Sequence, residues 1–171
     1  METNSLKMET KPLISKMYGI IVLYEMHTDF LSRALDGIDE KDTHKRLDTK
    51  ANHIAWITGS LVYGRYDLAK SFGIDLEPST GTLFKDHKGI VDDATYPTLS
   101  EYKKDWEKIS AILQDELMQA SEEKLNEPYE MPGMNITLFE MISFNTYREA
   151  NCIGQIALWR RLLGYNAMNY M

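Results

Sequence analysis

The chain has 171 residues, enough for one domain with a full core, and its 43% hydrophobic and 26% charged residues are those of an ordinary globular protein. A net charge of −7 without any Lys/Arg cluster argues against a phosphate-reading surface, so neither nucleic acid nor a membrane is an expected partner. No apolar run reaches the length of a membrane span, the opening METNSLKMETKP has no apolar signal core, and a single cysteine rules out an internal disulfide or a cysteine-cage metal site, so a cytoplasmic protein is expected.

Residues 1–11 read as a flexible tail and 12–171 as a single domain. Pro12 suits the first turn of a helix, whose apolar stripe Leu13, Met17, Ile20, Ile21, Tyr24, Leu31 and Leu35 ends at Gly37. GIDEKDTHKRLDTK follows as an exposed, charged connection in which His44 is solvated. The second helix starts at Asn52 as its cap and runs to Phe72-Gly73, with Ile54, Trp56, Ile57, Leu61, Val62, Tyr66 and Leu68 at helical spacing. Gly59 and Gly64 inside it each cost about 1 kcal/mol relative to alanine, so close helix approach is the expected reason, and Gly154 invites the same reading.

From Ile74 to Pro97 no period holds, apart from a short helical turn near Leu83 to Asp86; a connection this long in a small domain is usually lid-like or part of an interface. Thr98 and Glu101 form a capping box for a third helix ending near Ser121. NEPYEMPGMN then reads as an irregular linker, without convincing strand alternation. Thr137 and Glu140 form a second capping box, opening a long fourth helix that stops at Gly164 after Arg160 and Arg161. The pattern predicts an all-α four-helix bundle with a long connection between helices two and three.

The middle of the fourth helix is polar, with Asn145, Arg148, Glu149 and Asn151 amid apolar turns, and Arg148 and Cys152 share a face. Polar groups at the centre of a core helix need partners, so they mark a site or a structural network. Cys152 would be a nucleophile only if Arg148 lowered its pKa, and a small buried hydrophobe is the favoured reading. Trp56, Tyr63 and Tyr147 are expected to wall the same region, while Gln155 suits an interhelical hydrogen bond or a loop cap.

NHIAWITGSLVYGRYDLAKSFG and YREANCIGQIALWRRLLGY resemble the second and fourth helices of the DinB/YfiT-like superfamily, the latter through Gly154-Gln155 and Arg160-Arg161-Leu162-Leu163-Gly164. The resemblance implies a DinB-like four-helix bundle, homodimerisation, and in many members three histidines that hold a divalent metal. The corresponding positions here are Ser60, Arg148 and Cys152, a poor ligand, a fixed cation and a lone thiol, so neither a metal nor any other cofactor is expected. A rebuilt site from His27, His53 and Glu149 is a minor alternative, which would restore the metal-dependent hydrolase or low-molecular-weight-thiol S-transferase activity that the family implies.

The favoured expectation is a metal-free, non-catalytic or small-ligand-binding protein whose pocket gathers Ser60, Arg148, Cys152, Trp56, Tyr63 and Glu149. Within it Arg148 has two readings: a structural cation fixed by Glu149, Glu25 or Asp29, which is preferred, or a clamp for a small anionic ligand.

Overall fold

In the computed structural model, which describes residues 12–131 and 133–171, the protein is mostly helical with one two-stranded sheet. The expected tail, 1–11, lies outside the described residues. Helix α1 spans Tyr18–Leu35 after a 3-10 turn at Ser15–Met17, so the helix proper starts six residues later than Pro12 suggests. Its stripe Ile21, Tyr24, Leu31 and Leu35 is buried, and Gly37, at φ +68°, takes the left-handed turn that ends the run.

Helix α2, Ile54–Lys70, is capped by His53 and not by Asn52: the His53 Nδ1 accepts from the Trp56 N–H at 3.1 Å. The Asn52 carbonyl instead accepts from Trp159 Nε1 at 2.9 Å, which ties the start of α2 to the far end of the last helix. Ile54, Ile57, Leu61, Val62, Tyr66 and Ala69 are buried.

Helix α3, Leu99–Gln119, and helix α5, Leu138–Leu162, both begin with the capping boxes that their sequences spell, and Gly164 follows α5 at φ +88°. Between them the presumed linker is ordered: a one-turn helix α4, Glu122–Leu125, leads into β1, Pro128–Met131, and β2, Met134–Thr137, paired antiparallel with Pro128 opposite Thr137. Strands of four residues are too short for a period-2 pattern to stand out.

Helix α1 packs on α3 and α5, and α2 packs on the same two, so the four long helices close around one core containing Leu31, Leu61, Trp106 and Leu113. Arg160 of α5 donates to the carbonyls of Ala34 at 3.0 Å and Asp36 at 2.5 Å, satisfying the C-terminal end of α1. The long connection is held down by Phe84 and Tyr96, both buried, with a 3-10 turn at Lys85–His87. The Phe84 ring packs against Trp56 and Tyr63 and rests over Gly59.

Gly59 is where close approach requires a glycine. A Cβ there would lie 2.4 Å from the Tyr102 hydroxyl and 2.7 Å from the Phe84 ring, so the approach is to aromatic side chains. Gly154 does not behave this way: a Cβ on it would meet nothing within 4 Å.

Candidate functional site

Two guanidinium groups define the polar interior. Arg65 stands on the buried stripe of α2, four residues after Leu61 and three before Leu68, and is 2% exposed. Its Nε and Nη2 donate to the two Glu149 carboxylate oxygens at 2.7 and 2.8 Å, in the bidentate geometry that a carboxylate matches best. Nη1 donates to the Thr28 hydroxyl at 2.7 Å and the Ser110 hydroxyl at 2.6 Å, and Nη2 also donates to the Tyr24 carbonyl at 3.3 Å. Those five bonds use all five N–H donors.

The two faces of the same guanidinium are covered by the rings of Tyr24 and Trp106, at 3.8 and 3.6 Å to the centroids. His27 Nδ1 lies 3.3 Å from Glu149. Burial alone would push the Glu149 carboxyl upward, but the Arg65 ion pair, with His27 behind it, outweighs that and holds it below the usual carboxylate range. This cluster joins α1, α2, α3 and α5 and leaves the Arg65 guanidinium no free valence.

Arg148, one residue before Glu149, faces the other way. It is half-buried, and its Nη2 donates to the carbonyl of Ser60 at 3.3 Å and, in a short bond, to the Ser60 hydroxyl. The expected pairing with Glu149, Glu25 or Asp29 does not form: Glu149 is taken by Arg65, Asp29 pairs with Arg33, and Glu25 accepts from Gln114. Among the described residues no carboxylate forms an ion pair with Arg148. Its Nη1 lies 3.1 Å from where a Cβ of Gly64 would be, so that glycine gives the guanidinium its berth.

Arg148 opens on a cavity of about 510 Å³. Helix α2 contributes Trp56, Ser60, Tyr63, Gly64 and Asp67, a single stripe at spacings of three and four, and α5 adds Asn145 and Phe144. The long connection supplies Phe84 and Lys88, and the hairpin supplies Tyr129 and Glu130. The Tyr129 hydroxyl is 3.4 Å from Asp67, and burial, with Asp67 adding to it, pushes Tyr129 up to about 12.

Of the residues singled out from sequence, Ser60, Arg148, Trp56 and Tyr63 therefore share one cavity wall. Glu149 belongs to the Arg65 cluster instead. Cys152 is half-buried and not part of the lining; burial pushes its thiol up despite Arg148, which opposes the idea of an activated nucleophile. Tyr147 is 68% exposed and walls nothing, and Gln155 bonds along its own helix surface to Asn151 at 2.7 Å. The His27, His53 and Glu149 grouping does not assemble, because His53 caps α2 and packs against His44 and Tyr96, where burial and the neighbouring His44 push it down to about 4.

Sequence reasoning missed Arg65, Asp67, Lys88, Tyr129 and Glu130. Arg65 alone carried a signal, a charge on an otherwise apolar stripe.

At Ser60, Arg148 and Cys152 the donor set is a hydroxyl, a guanidinium and a protonated thiol, which does not fit a divalent cation. Among the described residues no three His, Cys, Asp or Glu side chains converge as a metal site. No helix among them is long and apolar enough to cross a membrane. No family model matches the chain, and a search of the curated proteins found no match.

Proposed function

We propose that the chain is a metal-free member of the DinB-like four-helix bundles that binds a small anionic ligand and is not a metal-dependent enzyme. The observation that carries this reading is Arg148: a half-buried guanidinium without a carboxylate partner among the described residues, held against Ser60 on the wall of a cavity. A cation in that position recognises a carboxylate or phosphate bidentately and at the same time repels a metal ion. The DinB-like assignment is supported by four long helices with a long connection after the second, and by Ser60 and Arg148 meeting across α2 and α5 at two of the aligned ligand positions.

The protein acts in the cytoplasm as a homodimer in this reading. Exposed Leu158, Leu162 and Tyr147 on α5, and Val22, Leu23 and Met26 on the adjoining α1, supply apolar surface for a second copy. Light scattering at high micromolar concentration should give twice the chain mass; a strict monomer removes this part of the proposal.

The central test is metal content after purification without chelator and dialysis against excess zinc, nickel and manganese, together with calorimetric titration of benzoate. Sub-stoichiometric metal and benzoate binding that Arg148→Gln abolishes are expected. Near-stoichiometric metal would favour the hydrolase or thiol S-transferase alternative and overturn the metal-free reading.

A further inference from the structure

The wall of the Arg148 cavity carries a second half-buried charge of opposite sign. Asp67 stands seven residues after Ser60 on α2, on the same face, and its one polar contact among the described residues is the Tyr129 hydroxyl at 3.4 Å. Lys70, one turn from Asp67, makes its ion pair with Glu77 at 3.1 Å and feels Asp67 only at longer range, and Arg148 is engaged by Ser60; the exposed Lys88 of the same lining makes no ion pair either, so among the described residues no cation touches the Asp67 carboxylate. Glu130 of the hairpin adds a second carboxylate to the same lining, and both residues also line an adjoining depression of about 370 Å³ with Glu127 and Lys70.

The cavity lining thus carries cations, Arg148 and the exposed Lys88, and carboxylates, Asp67 and Glu130, together with aromatic surface from Trp56, Phe84 and Phe144. A simple anion on Arg148 leaves Asp67 without a cation in contact. A ligand with an anion at one end and an ammonium at the other satisfies both. Ser60 and Gly64, which border the guanidinium, stand seven and three residues before Asp67, so these backbone levels are offset by roughly 5 to 10 Å along α2. A ligand lying along α2 between these levels has the length of two or three extended residues, at about 3.3 to 3.6 Å each.

Resting on the anion-binding reading above, we infer that the ligand is a zwitterion of di- or tripeptide length, with its carboxylate on Arg148 and its ammonium on Asp67 and Glu130. Apolar or aromatic side chains of the ligand pack on the ring-lined wall.

The experiment is calorimetric titration of the full chain with alanyl-phenylalanine, its N-acetyl form, its C-terminal amide, phenylalanine and benzoate. The free dipeptide should bind at least about tenfold more tightly than each of the others, since each lacks one charge-assisted contact or the length to make both. Asp67→Asn combined with Glu130→Gln should erase the preference over the N-acetyl form. If N-acetyl-alanyl-phenylalanine or benzoate binds as well as the free dipeptide, the anion pocket stands and the zwitterion inference falls. If the amide matches the free dipeptide, or if no compound binds, both fall.

Discussion

Arg65 and Arg148 are the same residue type on helices that pack against each other, yet they have opposite physical standing. Arg65 spends every donor on protein, Glu149, Thr28, Ser110 and Tyr24, and both faces on rings. Arg148 leans on one serine beside open space. A buried charge with all donors filled is architecture, whereas a half-buried one with donors to spare is a receptor. The difference comes from where the carboxylates are: Glu149 is adjacent to Arg148 in sequence, but successive residues on a helix point about 100° apart, and that turn hands Glu149 to Arg65.

The strongest way to break this contrast is Arg65→Ala, which leaves Glu149 buried and unpaired. It should cost about 3 to 5 kcal/mol in chemical denaturation. Pairing it with Glu149→Leu should recover much of that loss, and a single variant as stable as the parent would contradict the architectural role.

Gly59→Ala comes next. Its Cβ would enter the space of Tyr102 and Phe84, so about 1 to 3 kcal/mol should be lost, with faster proteolysis in the Phe84 connection.

Acid should separate the two arginines further. The Glu149 carboxyl is depressed in the folded state, so its contribution is fully present above the ordinary value of 4.5 and is lost as pH falls through the lower folded value. A pH series of melting temperatures should therefore drop below about pH 4.5, and Glu149→Gln should flatten that limb from a lower starting stability.

Arg148→Gln should shift stability by less than about 1 kcal/mol while removing benzoate binding, because only one serine loses its donor. A loss of several kcal/mol would make Arg148 structural after all. The smallest effect concerns Cys152: with its thiol pushed up by burial, alkylation at neutral pH should be slower than that of free cysteine, and faster reaction would indicate an activating environment.

Two helix starts were legible because their capping chemistry is local and uses residues that strongly favour it. The Thr98/Glu101 and Thr137/Glu140 boxes form as their residues spell them, because each links atoms three positions apart. The His53 cap was missed because a histidine ring can accept this bond but is seldom chosen to. The hairpin was missed because four-residue strands between proline and glycine signals look like loop. Of the residues lining the cavity, Ser60, Trp56, Tyr63 and Arg148 stood out in the sequence through the two helix motifs, while Asp67 and Glu130 had no marker beyond ordinary surface charge.

By itself, then, the sequence determined a mostly helical chain, the boundaries that local caps write, and the presence of polar groups in the middle of the last helix. Only the tertiary structure decided which arginine owns Glu149, which glycine admits an aromatic ring, and which charges are left facing a cavity. Helical period fixes a residue's direction relative to its own axis, but pairing depends on the rotation and depth of the neighbouring helices, which long-range packing sets.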